Sequence, residues 1–306
     1  MPDYQLKRRL LELLYKNNEE HVGSCFSCLE IIDNIYSRKE PDDIFILSNG
    51  HAAYALYCVL EKYLKVNADD LVSKHQGHPN LDPLNGIYCS TGSLGQGITI
   101  AVGAALASPR KRVFVTLSDG ECAEGSVWES LRYIQEYNVK NIEVHVNANG
   151  YACYDAIDLD YLSRRLKPFL PSINIHRTNV NELSFLRGIE AHYIKMDQEM
   201  FQKGLNELHR QELISLVKTT EEYILEIKNK VEEAANFYQF VPIARQGNYL
   251  EVGMVNPDDA KAREALRFIA QRNGLETQIE IITPSDFNEV IRQYRSLRGE
   301  VDKALK

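Results

Sequence analysis

Two polar turns carry the residues best suited to chemistry, and each comes just after an apolar run. Asp119 follows the run at residues 112–117, and Asn149 follows the run at residues 142–146, so that 149 − 119 = 30 residues separate them. That spacing is about one strand–helix–strand unit. If the two strands are parallel neighbours, the turns lie side by side, and their carboxylate and amide oxygens suit Mg²⁺. Gly120 would let a diphosphate approach the backbone closely. Ordinary Asp-Gly and Asn-Gly turns fit equally well, so these turns alone leave both interpretations open.

The segments around these turns repeat a rhythm of apolar strand, polar turn and helix. Strands are predicted at residues 43–47, 112–117, 142–146 and 172–178. Helices are predicted at residues 3–17, from the end of the turn 48–51 to Leu64, and at 126–137. This alternation predicts an α/β fold in which helices flank both faces of a parallel sheet. Ligands bind at the carboxyl ends of the strands in such sheets. The polar, glycine-bearing turns lie at those ends.

The composition changes after about residue 200. Residues 199–235 place Glu, Lys and Leu at helical spacing, which predicts long helices with charged faces. Short strand and helix patterns then return over residues 240–295. We therefore predict a first domain at residues 1–208, a helical linker at 209–235 and a small α/β module at 236–306.

Composition excludes several classes of function. The formal charge of −8 argues against a nucleic-acid surface, which needs a basic stripe. No apolar run approaches the length of a membrane span, and the charged N-terminus lacks the apolar stretch of a signal peptide. All 6 cysteines lie within the first 153 residues, in a scattered pattern that favours buried thiols in a reducing cytoplasm over a disulfide framework. The pair Cys25 and Cys28 lacks a second pair at zinc spacing, which disfavours a metal role. The sequence thus predicts a cytoplasmic protein without a membrane span.

Five motifs, in the right order, resemble those of the transketolase family. They are His21-Val-Gly-Ser24, Leu47-Ser-Asn-Gly-His51, Gly77-His78-Pro79, Thr91-Gly-Ser-Leu-Gly-Gln-Gly97, and Asp119-Gly-Glu-Cys-Ala-Glu124-Gly125 completed by Asn149. The resemblance covers about residues 3–208. It implies the thiamine-diphosphate-binding fold for this part of the chain.

The resemblance also implies a cofactor and its metal ion. Mg²⁺ or Ca²⁺ on the diphosphate would be held by Asp119, Asn149 and the backbone carbonyl of Tyr151. The residues expected against thiamine diphosphate are Gly92, Leu94, Asp119, Gly120, Glu124 and Asn149. Of these, Glu124 resembles the family's acidic residue at the subunit interface.

Three histidines, His21, His51 and His78, would line the cleft at the reactive carbon of the thiazolium. There they would hydrogen-bond substrate hydroxyls or move protons near neutral pH. Ala191-His192-Tyr193 resembles a later substrate histidine, and an ordinary structural role fits it equally well. The cofactor would supply the carbanion chemistry while the protein orients it.

The chain departs from the family pattern in three respects. Ser118 stands where the first glycine of the diphosphate motif is usual, and Asn147 stands where an aspartate is usual. The stretch from Gly150 to Arg177 is short, so the strand–helix pair that usually follows the metal loop is expected to be missing. No later segment resembles the domain that supplies the pyrimidine-activating glutamate. The resemblance therefore implies an incomplete active site that needs a separate pyrimidine-binding chain, in a homodimer or heterotetramer that transfers two-carbon ketol units between sugar phosphates.

The tail has a resemblance of its own. Residues 240–243, 250–259, 265–269 and 287–294 resemble the N-terminal module of type II secretion and type IV pilus assembly ATPases. The sequence contains no GxxxxGK[ST] loop, so no ATPase activity is implied. In that family the module serves docking and sometimes nucleotide binding. An alternative is therefore a non-catalytic docking or scaffold protein in which the tail is the working part.

Overall fold

The computed structural model describes residues 2–152, 155–213, 215, 237–246, 249–272 and 274–292. The chain divides into two compact units, residues 1–214 and 215–306. Of the predicted linker at 209–235, residues 209–213 and 215 are helical, and the rest lies outside the described residues. The division into 1–208, 209–235 and 236–306 stays a prediction.

The first unit alternates strands and helices along the chain. Its strands are β1 (Ile44–Leu47), β2 (Val113–Ser118), β3 (Ile142–Ala148) and β4 (Asn174–Arg177). Its helices are α1 (Tyr4–Lys16), α2 (Val22–Arg38), α3 (Ala53–Leu64), α4 (Ala68–His75), α5 (Gln96–Ala107), α6 (Gly125–Glu136), α7 (Leu159–Phe169) and α8 (residues 198–213).

The four strands form one sheet in the order β1-β2-β3-β4, and every pairing in it is parallel. All six residues of β2 are buried. Because alternate residues of a strand face opposite sides, a strand that is covered on both faces reads as a continuous apolar run. The predicted fold class, a parallel sheet flanked by helices, is confirmed.

Each face of the sheet has its own core. On one face Phe45 and Phe114 pack with α1, α2 and α3, and this core includes buried residues from the segment 180–208. On the other face Ile46 and Val115 pack with α5, α6 and α7. The two cores hold the strands in register from both sides, and this fixes where the loops at the strand ends emerge.

The stretch after Gly150 contains a helix that was not predicted from the sequence. Helix α7 begins after Asp158, whose carboxylate caps it by accepting a hydrogen bond from the N–H of Tyr161 at 2.9 Å. The helix buries Leu162 and Leu166 in the second core and leads into β4. The structure thus adds a helix before the predicted strand at 172–178, and the expectation that the family's usual strand–helix pair is missing stays a prediction. The helix is amphipathic, since Leu159, Leu162 and Leu166 recur at helical spacing, so its periodic pattern was present in the sequence and was overlooked.

The second unit is a small α/β module, as predicted. Its sheet has the order β5-β6-β7, in which β5 (Phe240–Gln246) pairs antiparallel with β6 (Tyr249–Met254), and β6 pairs parallel with β7 (Glu276–Ile281). Helix α9 (Ala260–Arg272) packs on one face over Phe240 and Met254, and the helix at residues 284–292 (α10) packs beside Val241. The module therefore has its own small core.

Two sequence expectations concern the chain as a whole. No helix within the described ranges is both long and apolar enough to cross a bilayer. Five cysteines, Cys25, Cys28, Cys58, Cys89 and Cys122, are free and buried, as expected from their scattered pattern. Cys153 lies outside the described residues.

Candidate active site

The carboxyl ends of β2 and β3 bring Asp119 and Asn149 onto adjacent turns, because the two strands are parallel neighbours. The Asp119 carboxylate accepts hydrogen bonds from the N–H of Gly150 at 2.6 Å and from the N–H of Gly120 at 3.1 Å. The N–H of Asp119 donates to the carbonyl of Asn147 at 3.1 Å. The Asp119 side chain thus joins the two turns at the edge of the sheet.

Asp119 is buried in spite of its charge, with only 2% of the residue exposed. Burial raises its pKa to about 6, and backbone N–H groups, chiefly that of Gly150, oppose the shift. Backbone amides satisfy the hydrogen-bonding capacity of a carboxylate but bring no net charge. A divalent cation beside Asp119 would supply that charge and favour the ionised form.

Asn149 is oriented by a polar network that reaches α2. Its Oδ1 accepts a hydrogen bond from the N–H of Tyr151 at 3.0 Å, and its Nδ2 donates to the Ser27 hydroxyl at 3.4 Å. Asn147 donates to the same hydroxyl at 2.9 Å and accepts a hydrogen bond from Thr178 at 2.5 Å. The amide nitrogen of Asn149 therefore faces α2, and its oxygen faces the loop that follows β3.

Three separate loops bring His21, His51 and His78 toward one pocket. The ring centroids of His21 and His51 are 5.4 Å apart. His78 lies on the loop after α4, where a Cβ added to Gly92 would come within 3.1 Å of the His78 ring. Both His21 and His78 lie close enough to His51 to lower its pKa. The sequence motifs that carry the histidines thus converge in space.

A fourth histidine, His192, borders the same pocket. Its carbonyl accepts a hydrogen bond from the N–H of His21 at 2.8 Å, and its Nδ1 is hydrogen-bonded to the Ser24 hydroxyl. Its Nε2 is buried and has no hydrogen-bond partner among the described residues. A buried polar atom without a partner is costly, so a ligand atom at Nε2 would be favourable.

The pocket holds three of its histidines, His21, His51 and His192, in the neutral form. Burial, reinforced by His21, His192 and His78, lowers the pKa of His51 to about 3. Burial and the nearby His21 lower the pKa of His192 to about 4, and burial also lowers the pKa of His21. A neutral imidazole offers one donor and one acceptor. The pocket is therefore suited to hydrogen bonding with hydroxyl groups rather than to binding anions by charge.

The segment 91–97 approaches its neighbours so closely that only glycine fits at two positions. Gly95 has φ +75°, and an added Cβ there would lie 2.5 Å from the Ser126 hydroxyl. An added Cβ on Gly97 would lie 2.5 Å from Cα of Ser48. The half-buried Leu94 therefore sits on a loop clamped between α6 and the loop after β1.

The structure arranges most of the predicted site residues in two groups. Asp119, Gly120, Asn149 and Tyr151 gather where β2 and β3 end, and His21, His51, His78 and Gly92 gather at the pocket. Leu94 and the exposed Glu124 belong to neither group, and they lie near each other, since Leu94 precedes Gly95 and a Cβ added to Gly95 would come within 2.7 Å of Cβ of Glu124. Their functional roles stay predictions.

Sequence reasoning missed Glu121, which is 0% exposed. One carboxylate oxygen accepts hydrogen bonds from the Ser48 hydroxyl at 2.6 Å and the N–H of Gly95 at 3.0 Å. The other accepts from the N–H of Ser118 at 2.9 Å. Asp-Gly-Glu reads as an exposed turn, so no local signal in the sequence distinguishes this glutamate.

No group of three or more His, Cys, Asp and Glu side chains in the described part of the chain is arranged to hold a metal ion. The turns at β2 and β3 offer one carboxylate together with neutral oxygens. Such a donor set matches an ion that takes much of its coordination from phosphate oxygens and water, as Mg²⁺ does.

Two family models match the chain. The model described as transketolase, thiamine diphosphate binding domain, matches residues 16–155, and the model of the MshEN domain matches residues 232–301. Both matches fall on the parts of the chain whose motifs predicted them.

Similar proteins include one subunit of apulose-4-phosphate transketolase from Phocaeicola vulgatus, 31% identical over 163 residues, which are 47% of this chain and 58% of that protein. The protein of the same name from Actinobacillus succinogenes is 29% identical over 203 residues, covering 58% of this chain and 72% of that protein. Transketolase-like protein 2 of Bos taurus is 35% identical over 150 residues, only 24% of its length. The chain thus matches little more than half of the first of these relatives and a quarter of the last.

Solved structures support the fold. A transketolase mutant from Pichia stipitis superimposes with a TM-score of 0.55 at 18% identity, covering 68% of this chain and 41% of that one. Transketolase from Leishmania mexicana gives a TM-score of 0.51 at 15% identity, covering 77% and 49%. Residues 16–155 therefore match a transketolase-type thiamine-diphosphate-binding domain in sequence and share its fold, and residues 232–301 match an MshEN domain.

Proposed function

We propose that this chain is the N-terminal subunit of a transketolase-like enzyme, which transfers two-carbon ketol units between sugar phosphates with thiamine diphosphate and Mg²⁺. The observation that carries the proposal is the buried Asp119, joined to the turn of Asn149 and accompanied by the cluster of His21, His51 and His78. Relatives named as an apulose-4-phosphate transketolase subunit support both a sugar-phosphate substrate and a divided enzyme.

The residues at the strand ends fit the cofactor and its metal ion. Burial raises the pKa of the Asp119 carboxylate, and a bound cation would lower that pKa again. Asn149 and the carbonyl of Tyr151 would add neutral oxygen ligands. A Cβ added to Gly120 would lie 3.4 Å from Cα of Ala152, which is an ordinary van der Waals contact. Gly92, Leu94 and Glu124 would border the rest of the cofactor. Bound thiamine diphosphate would supply the carbon nucleophile.

The histidines would act on the substrate. His21, His51 and His78 would hydrogen-bond its hydroxyls, and one of them would accept a hydroxyl proton. The carbon that bears this hydroxyl would become a carbonyl as its bond to the two-carbon unit breaks, and the electron pair of that bond would stay with the two-carbon unit. The unpartnered Nε2 of His192 would accept a further hydrogen bond from a ligand. A pocket that is neutral rather than cationic leaves recognition of the sugar phosphate group to other residues.

Those residues would come from a second chain. The exposed Glu124 would lie at the interface with a pyrimidine-binding partner, in a homodimer or a heterotetramer. The word subunit in the relatives' names supports such a partner. The enzyme would then need both chains. This chain alone would bind the cofactor only weakly and would not turn over substrate.

Calorimetry tests the proposal. Thiamine diphosphate is titrated with and without Mg²⁺ into this chain, mixed with a candidate pyrimidine-binding chain. We expect Asp119→Ala to abolish Mg²⁺-dependent binding and Asn149→Ala to weaken it less, because water can replace a neutral ligand on Mg²⁺. Asp160→Ala, which removes an exposed carboxylate paired with Arg177, is the matched control and should bind like the wild type.

The same experiment addresses the alternative. A wild-type chain that shows no Mg²⁺-dependent binding with its partner present would contradict the proposal, and it would favour a docking or scaffold role carried by the MshEN domain. Unchanged binding by Asp119→Ala would leave the enzyme assignment in place but would show that the diphosphate is held elsewhere.

A further inference from the structure

Glu121 connects three loops that are far apart in the sequence. Its contact with Ser48 joins residues 73 positions apart, and its contact with Gly95 joins residues 26 positions apart. Ser118, the third partner, is the last residue of β2. A carboxylate in the middle of these loops is unusual because burial of a charged group is costly unless it is fully hydrogen-bonded.

Each loop that Glu121 holds carries residues of the candidate site. The loop of Ser48 continues to His51, and the loop of Gly95 contains Gly92 and Leu94. The strand end at Ser118 leads directly to Asp119. One buried side chain thus links the loop of His51, the segment 91–97 and the turn of Asp119.

The hydrogen-bond pattern requires an acceptor at both oxygens of residue 121. One oxygen faces the N–H of Gly95 and the other faces the N–H of Ser118. A glutamine has only one side-chain oxygen, so in either orientation its NH₂ group would meet a backbone N–H. Only a carboxyl side chain of this length satisfies both loops at once.

Steric contacts leave the three loops little freedom to compensate. Gly97 brings α5 against Ser48, and the Ser126 hydroxyl donates to the carbonyl of Gly95 at 2.8 Å. Loops that are packed this closely shift together when one of them shifts. Glu121 supplies the polar contact at the centre of this packing.

We propose that Glu121 is a positioning residue that holds these three loops in the single arrangement able to bind the cofactor. The proposal deepens the proposed function, on which its binding measurement rests. In Glu121→Gln the loops spend part of their time in other arrangements, and the apparent affinity falls in proportion to the competent fraction. One buried N–H without an acceptor corresponds to a loss of affinity of about tenfold to one hundredfold.

The test compares Glu121→Gln with Asp43→Asn in the full chain. Asp43 is a matched control, because it is also a buried carboxylate that accepts backbone hydrogen bonds, from Glu40 and Arg112, but it lies at the opposite end of β1. Three quantities are measured for each protein: the thermal midpoint, amide hydrogen exchange at Gly95 and Ser118, and, with the pyrimidine-binding partner chain present, the Kd for thiamine diphosphate with Mg²⁺.

We expect both variants to lower the thermal midpoint, but only Glu121→Gln to lose amide protection at Gly95 or Ser118 and to raise the Kd about tenfold or more. A purely structural role is the correct interpretation if Glu121→Gln loses stability yet keeps wild-type protection and Kd, or if Asp43→Asn raises the Kd as much. If the wild type does not bind the cofactor, the proposed function fails, and amide protection at Gly95 and Ser118 alone decides the role of Glu121.

Discussion

Replacement of Asp119 by asparagine tests the electrostatics of the candidate site directly. The folded chain holds the pKa of Asp119 at about 6, whereas an unfolded aspartate titrates near 3.8. The folded state therefore binds this proton more tightly than the unfolded state does. The stability contributed by protonated Asp119 is present below pH 3.8, falls as the pH rises toward about 6, and is absent above it.

The magnitude follows from the size of the shift. About two pKa units correspond to about 3 kcal/mol of unfolding free energy, of which about 2 kcal/mol is lost between pH 4 and pH 8. Asp119→Asn removes this dependence on pH. The variant also turns an NH₂ group toward the N–H of Gly150 or of Gly120, at a cost of about 1–3 kcal/mol that does not change with pH. The stability difference between the two proteins should therefore move by about 2 kcal/mol in favour of the variant from pH 4 to pH 8.

Urea unfolding followed by tryptophan fluorescence measures this difference. Trp128 is the only tryptophan of the chain, and its indole N–H donates to the carbonyl of Cys122 beside the Asp119 turn, so the signal reports on the first unit. All other titrating groups are common to both proteins and cancel. A stability difference that stays constant from pH 4 to pH 8 would refute the reasoning. With thiamine diphosphate and Mg²⁺ added at pH 8, the wild type should gain stability and the variant should not.

Two further predictions concern the same unit. Gln76 has φ 59° and ψ −146°, a backbone conformation that is strained for any residue except glycine. Gln76→Gly should therefore raise the unfolding free energy by about 1 kcal/mol, once the greater entropy of glycine in the unfolded chain is subtracted. An unchanged or lower unfolding free energy in urea would show that Gln76 is not strained. Burial, together with His176 and Arg38, lowers the pKa of His145 to about 4, so stability should be lost as the pH falls from 6.5 toward 4. His145→Gln should show a smaller loss between pH 7 and pH 5 by the same assay, and an equal loss would exclude His145 as its source.

The sequence carried enough information to predict the fold and the meeting of the two turns. Continuous apolar runs such as 112–117 mark strands that are buried on both faces, and parallel neighbours place their following turns at one edge. Asp119 and Asn149 therefore come together by topology alone. The histidine pocket was predictable only through the family resemblance, because His21, His51 and His78 lie on loops whose paths no periodicity determines.

Other features depend on tertiary contacts that leave no local pattern. Glu121 is buried because Ser48 and Gly95 close over it, and neither is near it in the sequence. The pairing of His145 with His176 at 2.9 Å follows from the register of β3 against β4, and the sequence predicted the strand at 172–178 but not its register. Helix α7 is different, because Leu159, Leu162 and Leu166 do leave a local pattern at helical spacing, and it could have been predicted.

The bond between His21 and His192 has a consequence for synthesis on the ribosome. The family match ends at residue 155, yet the start of α2 is held by His192. The His192 carbonyl accepts a hydrogen bond from the N–H of His21, and the His192 ring is hydrogen-bonded to the Ser24 hydroxyl, 168 positions away in the sequence. Buried residues between 180 and 208 also complete the first core. A nascent chain that has exposed all five motifs still lacks these contacts. The histidine pocket therefore closes late in translation, and a fragment cut at residue 155 would expose apolar surface and aggregate rather than fold.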